Sequence, residues 1–291
     1  MPTHGERATR NGDWLAAVLA VALLLVIGAG AGNAWAGPPE LAERTHLRVC
    51  ADGNNLPFSN RAGEGFENRI AEMMAEELGL PLQYTWAPQI MGFVRNTLDL
   101  GVCDVIVGVA AGYELVQNTN AYYRSVYALI VPEDSDLQST TLQDPDFAGR
   151  PIGVITDTPP VVPLRRTGAS LKTYALQVDT RVVSPVRDAV ADVADGDTDG
   201  AVLWGPIAGY YASRQDPPLR VMPLTGDAGT AQLDFRITMG VRRGEPRWMD
   251  WINDFIDRRQ DDINQLLVDY GVPLLDRRGQ LITAENPDDG D

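Results

Sequence analysis

Side chains able to do chemistry are sparse in this chain. The densest run is Asp195-Gly-Asp197-Thr-Asp199-Gly200, which matches the first half of an EF-hand loop. Its oxygen ligands at alternate positions would suit calcium or a lanthanide. Position twelve of such a loop falls on Pro206, where a bidentate Glu is needed. The same run serves equally as a helix end and a turn, and no metal site is expected. His46 stands just before the first apolar run, with no triad partner in view. No GxGxxG, P-loop, CxxC or HExxH pattern occurs. Asp52, Glu67 and Asp104 are the visible candidates for an acid or base, but they form no evident pair. Catalysis and a cofactor of the chain's own are therefore not expected. Cys50 and Cys103 complete the set. They read as a disulfide in an oxidising compartment and as two buried thiols otherwise.

The elements around these residues alternate. Leu47, Val49 and Ala51 begin a strand; Asn54, Asn55, Pro57, Ser59, Asn60 and Gly63 supply turn chemistry. Phe66, Ile70, Met73 and Leu78 recur at helical spacing until Gly79. The pattern then predicts strand 82–86, helix 90–100, strand 104–109 and a longer strand 123–131. A second series follows a polar crossover: strands 152–155 and 173–176, helix 185–194 opened by Ser184-Pro185, strand 200–204, helix 205–213 and strands 219–222 and 235–241. A long helix over about 246–270 carries Trp248, Ile252, Phe255, Ile263 and Leu267 on one stripe. Alternating strands and helices make this an α/β fold with largely parallel sheets. Two consecutive series point to two lobes: 37–128 plus 235–284, and 129–234, with 123–131 and 235–241 crossing between them. The loop after the first strand lies where open α/β sheets bind ligands, and clefts between domains are common sites.

The ends of the chain bear on its compartment. Arg7 and Arg10, the uncharged run Trp14–Ile27 and the small-residue site Ala34-Trp35-Ala36 have the three parts of a secretory signal peptide, with cleavage after Ala36. As a helix, that run would reach about 21 Å against a hydrocarbon core of about 30 Å, so stable membrane insertion is not expected. Residues 285–291 are polar and acidic and read as a disordered tail. The net charge is −16, and loss of residues 1–36 removes two acidic and two basic groups, leaving it unchanged. Such a surface repels nucleic acid and anionic membrane.

Several strings together resemble a known family. Val49-Cys-Ala-Asp-Gly-Asn-Asn-Leu-Pro-Phe-Ser-Asn60, Gly65-Phe-Glu-Asn-Arg-Ile70, Gly92-Phe-Val-Arg-Asn-Thr97, Ala111-Gly-Tyr113, Tyr122-Tyr-Arg-Ser125 and Trp204-Gly-Pro206 are similar to those of type II periplasmic solute-binding proteins, family 3-like. More closely, they resemble the MxaJ/XoxJ-type accessory proteins of quinoprotein methanol dehydrogenases. The resemblance implies a two-lobed fold, no catalysis, a periplasmic location, and service to an alcohol or methanol dehydrogenase that uses pyrroloquinoline quinone (PQQ) with a lanthanide or calcium ion. The departures also matter. Amino-acid-binding members usually carry an Arg for the ligand carboxylate where this chain has Gly112-Tyr113. They carry an Asp for the ammonium where it has Trp204-Gly205. A zwitterion would then leave two charges unpaired, at a cost of several kcal/mol. The expected cleft is therefore set by Asn54, Asn55, Phe58, Phe66, Glu67, Tyr113, Tyr122, Arg124 and Trp204. It would suit an apolar or aromatic group or a partner's loop. The alternatives are a transport receptor for a small solute other than an amino acid, delivering to a membrane importer, and an enzyme built on a binding-protein fold.

Overall fold

The computed structural model describes residues 45–226, 229 and 231–283. The leader expected over 1–36 and the tail expected over 285–291 lie outside the described residues. Leu47–Ala51 (β1) pairs in parallel with Leu82–Trp86 (β4) and Val105–Ala110 (β5). Two short strands, Asn54–Asn55 (β2) and Ser59–Asn60 (β3), form a small ribbon in the loop after β1. Helix α1, Phe66–Leu78, starts at Gly65, where the Asn68 side chain accepts from the Gly65 and Asn60 N–H groups. It ends at Gly79 in the left-handed region, φ 64°. Phe66, Ile70 and Met74 of α1 pack with Trp248, Ile252 and Phe255 of the long helix Pro246–Asp269. That apolar stripe is the one the sequence spacing marks.

Gln117–Val131 (β6) joins the two lobes. Its first part pairs antiparallel with Asp234–Val241 (β11) as far as Val126. From Tyr127 on it pairs with Gly200–Trp204 (β9) and Arg220–Pro223 (β10). The partner changes within one residue, so β6 is the crossing strand of a nine-stranded sheet ordered β4-β1-β5-β11-β6-β9 and then Pro151–Ile155 (β7) and Ser170–Tyr174 (β8), with β10 beside β6. In the second lobe, Phe147, Leu142 and Leu164 cover one face of β7 and β9. The other face is covered by Val190 and Val193 of Pro185–Ala194 (α4) and Ala208 of Gly205–Ala212 (α5). This is the two-lobed type II periplasmic-binding-protein fold, with a mixed sheet flanked by helices.

Several elements differ from the sequence reading; the strand expected over 173–176 runs from Ser170 to Tyr174. The helix expected over 90–100 is confined to Phe93–Asn96 (α2), because Gly92 sits at φ 90° before it and Thr97 leaves helical geometry after it. β6 starts at Gln117 rather than Tyr123; its polar opening, Gln-Asn-Thr-Asn, carries no alternation but still pairs with β11. A helix at Val161–Thr167 (α3) follows the Pro-rich turn, where none was expected. Cys50 and Cys103 are joined, with Cα atoms 5.5 Å apart, a separation ordinary for a disulfide. Among the described residues no helix is long and apolar enough to cross a membrane.

Candidate functional site

A cavity of about 330 Å³ opens between the lobes. The first lobe supplies a polar wall from the loop after β1: Asp52, Asn54, Asn55 and Phe58, with Gln89. Tyr127 stands at the crossing point. The second lobe supplies an apolar wall that includes Ile155, Leu176, Val183, Leu203, Trp204 and Ile207. Tyr211 closes it, one helical turn beyond Ile207 on α5. No Lys, Arg or His is among the described residues that line it.

Aromatic rings set the shape of the floor. Trp204 meets Tyr127 edge-on at 5.4 Å and Phe235 at 5.8 Å, a favoured geometry for ring quadrupoles. Trp204 can stand here because the next residue is Gly205. A Cβ at that position would come within 2.2 Å of the Val126 carbonyl oxygen, so only glycine lets α5 start directly against β6. The Tyr127 hydroxyl pairs with Thr158, and burial pushes its pKa up to about 12, so it stays a neutral hydrogen-bonding group. Phe58 turns its ring edge-on to Phe66, 5.4 Å away in the core.

Asp52 is the one ionisable carboxyl group on the cavity wall among the described residues. It is buried, and its oxygens are occupied. The Asn54 N–H donates to Oδ1 and the Gln89 N–H to Oδ2, each at 3.0 Å. The Thr180 hydroxyl donates to both, at 2.8 and 2.9 Å. A carboxyl group so engaged has its hydrogen-bonding positions taken within the chain.

Of the nine residues the sequence assigns to the cleft, Asn54, Asn55, Phe58 and Trp204 line this cavity. The other five do not. Phe66 and Tyr122 are in the first lobe's core. Glu67, in the first turn of α1, is buried with its carboxyl group against the Cα of Gly108 on β5. Burial pushes its pKa up to about 8. Tyr113 is exposed in the loop after β5. Arg124 is not among the lining residues and pairs with Asp234 at 2.6 Å, so its guanidinium is held by that carboxylate. Sequence reasoning missed Tyr127, Thr180 and Tyr211. Tyr127 lies inside the expected crossing strand, and Tyr211 is at helical spacing from Ile207, so both left a signal. Thr180 lies in an unpatterned loop and left none.

The other chemical candidates are committed elsewhere. Asp104 pairs with Arg48 at 2.7 Å and faces Arg242 at 3.6 Å. In the EF-hand-like run, Asp197 faces Lys172 at 3.6 Å and Asp199 faces Arg150 at 3.4 Å. Among the described residues no three metal-type side chains converge.

The model of the bacterial extracellular solute-binding proteins, family 3, matches residues 47–271. Protein MoxJ of Paracoccus denitrificans is 31% identical over 266 residues, which cover 86% of this chain and 96% of that protein. The crystal structure of periplasmic binding protein XoxJ from Methylobacterium extorquens AM1 is 39% identical with a TM-score of 0.66, covering 79% of this chain and 99% of that one. MxaJ from Methlophaga aminisulfidivorans MPT is 26% identical with a TM-score of 0.69, covering 79% and 100%.

Proposed function

The chain belongs to the bacterial extracellular solute-binding proteins, family 3, as a member of the MxaJ/XoxJ type, and from that premise we propose that it is a periplasmic, non-catalytic accessory protein of a PQQ-dependent methanol or alcohol dehydrogenase. It acts by contact with the enzyme during maturation or activation. The two lobes hold an apolar segment of the enzyme as a relative would hold a solute. One observation carries this reading: the cavity offers rings and aliphatic side chains and, among the described residues, no cation for a ligand carboxylate. A zwitterionic amino acid would enter with its carboxylate unanswered, a penalty of several kcal/mol. An apolar side chain gains on the order of 2 kcal/mol by burial there.

The same wall argues against catalysis, because among the described residues no acid and base face each other across it. The test is a pull-down of the processed chain with periplasmic extract from a cell that makes a quinoprotein dehydrogenase. Retention of the dehydrogenase, lost when Trp204 and Tyr211 are both replaced by Ala, is the expected result. If the dehydrogenase is not retained and its activity does not change on addition of the chain, the accessory role is wrong.

The volume of the cavity favours a second reading, a receptor for an uncharged solute other than an amino acid. About 330 Å³ is at the lower end of the range for small-molecule pockets. A neutral aromatic compound that raises the melting temperature, with no dehydrogenase retained, would select it.

A further inference from the structure

Between β8 and α4 the chain runs through residues 175–184 without regular structure. This loop belongs to the second lobe, yet its hydrogen bonds reach the first. Thr180 makes two kinds of contact there. Its hydroxyl donates to the Asp52 carboxylate, and its carbonyl oxygen accepts from the Asn54 side-chain amide. Three residues earlier, the Gln177 side chain accepts from the Met91 N–H at 2.9 Å. Thr180 itself is held on a turn: the Val182 and Val183 N–H groups both donate to the Asp179 carbonyl oxygen, and Arg181 pairs with the Asp179 side chain at 2.6 Å. Leu176, Thr180 and Val183 of the same loop line the cavity.

We propose that this loop is a built-in latch: Thr180 docks on Asp52 in place of an external ligand's polar group and holds the cavity shut until an occupant displaces it. The inference rests on the reading of this cavity as the binding site. A buried carboxylate needs its lone pairs filled in every populated state. The first lobe supplies two donors from its own backbone, Asn54 and Gln89. The remaining donor comes from across the gap. Opening the lobes therefore exchanges the placed Thr180 hydroxyl for water at both Asp52 oxygens. The contact is also small enough to be reversible, since it centres on a single side chain flanked by the Asn54 and Met91 contacts. An occupant bearing a hydroxyl or amide donor beside an apolar body can take the same carboxylate, which couples loading to release of the loop.

The test reads lobe separation directly and needs no partner. Both native cysteines are bonded, so spin labels can be placed at E76C on α1 and A191C on α4, two exposed positions in different lobes. Pulsed electron–electron resonance then gives the distance distribution for the latched chain and its Thr180 variants. T180V keeps the shape and removes the donor; T180S keeps the donor. The latch predicts a single narrow distance for the wild type and for T180S. For T180V it predicts a longer population grown about tenfold. N54A, on an exposed residue, should move the distribution the same way but less. A T180V distribution that overlays the wild type would overturn the proposal. So would a broad wild-type distribution, or an equal shift in T180S, which would assign the effect to loop shape rather than to the hydroxyl. If T180V opens while no dehydrogenase is retained in the pull-down, the latch stands and the accessory reading falls.

Discussion

At the back of the molecule, Gly209 of α5 and Gly271, just past the long helix, meet backbone to backbone. A Cβ on Gly209 would lie 1.8 Å from the Gly271 carbonyl oxygen. Beside them Tyr210 stacks on Tyr270 at 5.9 Å, and the Ser125 hydroxyl donates to the Pro273 carbonyl at 2.6 Å. The Leu275 N–H then donates to the Arg124 carbonyl, which straps the C-terminal segment over the crossing strand. At the mouth of the cavity the same two lobes meet through Thr180, Asn54 and the Met91–Gln177 pair, with Met91 89% exposed. Packed backbone joins the back, and a few hydrogen bonds join the mouth, those of the Asn54 side chain and Met91 open to water. Contacts of the first kind have no room to slide. Those of the second can exchange with solvent at small cost. A binding fold needs this asymmetry, with the hinge fixed and the mouth free to move.

The largest effect should come from breaking the fixed side. Gly209→Ala places a methyl group inside the Gly271 carbonyl, so α5 must move away from the end of the long helix. Such overpacking should cost roughly 3 kcal/mol, read as a lower denaturant midpoint. The same substitution at Gly196, on a turn where an added Cβ would meet nothing within 4 Å, serves as the comparison, with only its left-handed φ of 78° against it. A Gly209→Ala chain as stable as wild type would mean the back is loose.

The support beneath the loop after β1 carries the next effect. The Glu67 and Phe66 N–H groups donate to the carbonyl oxygens of Phe58 and Pro57, tying the loop after β1 to the first turn of α1. Burial raises the Glu67 pKa to about 8, above its unfolded value of about 4.3. The folded chain therefore binds a proton that the unfolded chain releases. This contribution is complete below the unfolded pKa and is lost as pH rises through 8, with a slope of up to about 1.4 kcal/mol per pH unit. Glu67→Gln keeps the shape and cannot ionise. Its denaturation midpoint should flatten between pH 5 and 8, where the wild type declines; parallel profiles would remove the argument.

A smaller effect belongs to the hinge. Arg124 is partly exposed and pairs with Asp234, itself about a third exposed, at 2.6 Å. Arg124→Met keeps much of the stem and removes the ion pair, so stability should fall by about 1 kcal/mol or less, and less at high salt. A loss several times larger would mean that Arg124 also anchors the C-terminal strap, whose Asp276 and Arg277 carbonyl oxygens it approaches at 3.5 and 3.4 Å.

How much of this could be read from the chain divides along the same line. The rigid parts left periodic signals: the stripe of the long helix, α1 between Gly65 and Gly79, and the apolar strands of both lobes. Asn54, Asn55, Phe58 and Trp204 were legible as cleft residues because they flank a strand end, where α/β sheets present ligands. Phe66 and Tyr122 were not separable from them by type, since an aromatic side chain reads alike in a core and on a cleft wall. What decides is the direction of the Cβ in the folded element. The Thr180 contact joins residues 128 apart in the sequence through an irregular loop, and no period or spacing encodes such a meeting. The closed mouth is a property of the tertiary fold alone.

The finest test of the contrast between back and mouth is Gln177→Ala. The Gln177 side chain accepts the Met91 N–H at an exposed rim, where water replaces it at little cost. Global stability should therefore change by no more than about 0.5 kcal/mol. Hydrogen exchange at the Met91 amide should nevertheless accelerate, because its protection comes from this contact. The amides of Gly271 and Val272, which donate to the Val268 and Leu267 carbonyls at the back, should keep their wild-type rates. If exchange at the back accelerated together with Met91, the two regions would open as one cooperative unit. The lobes would then part by unfolding rather than by release of the mouth.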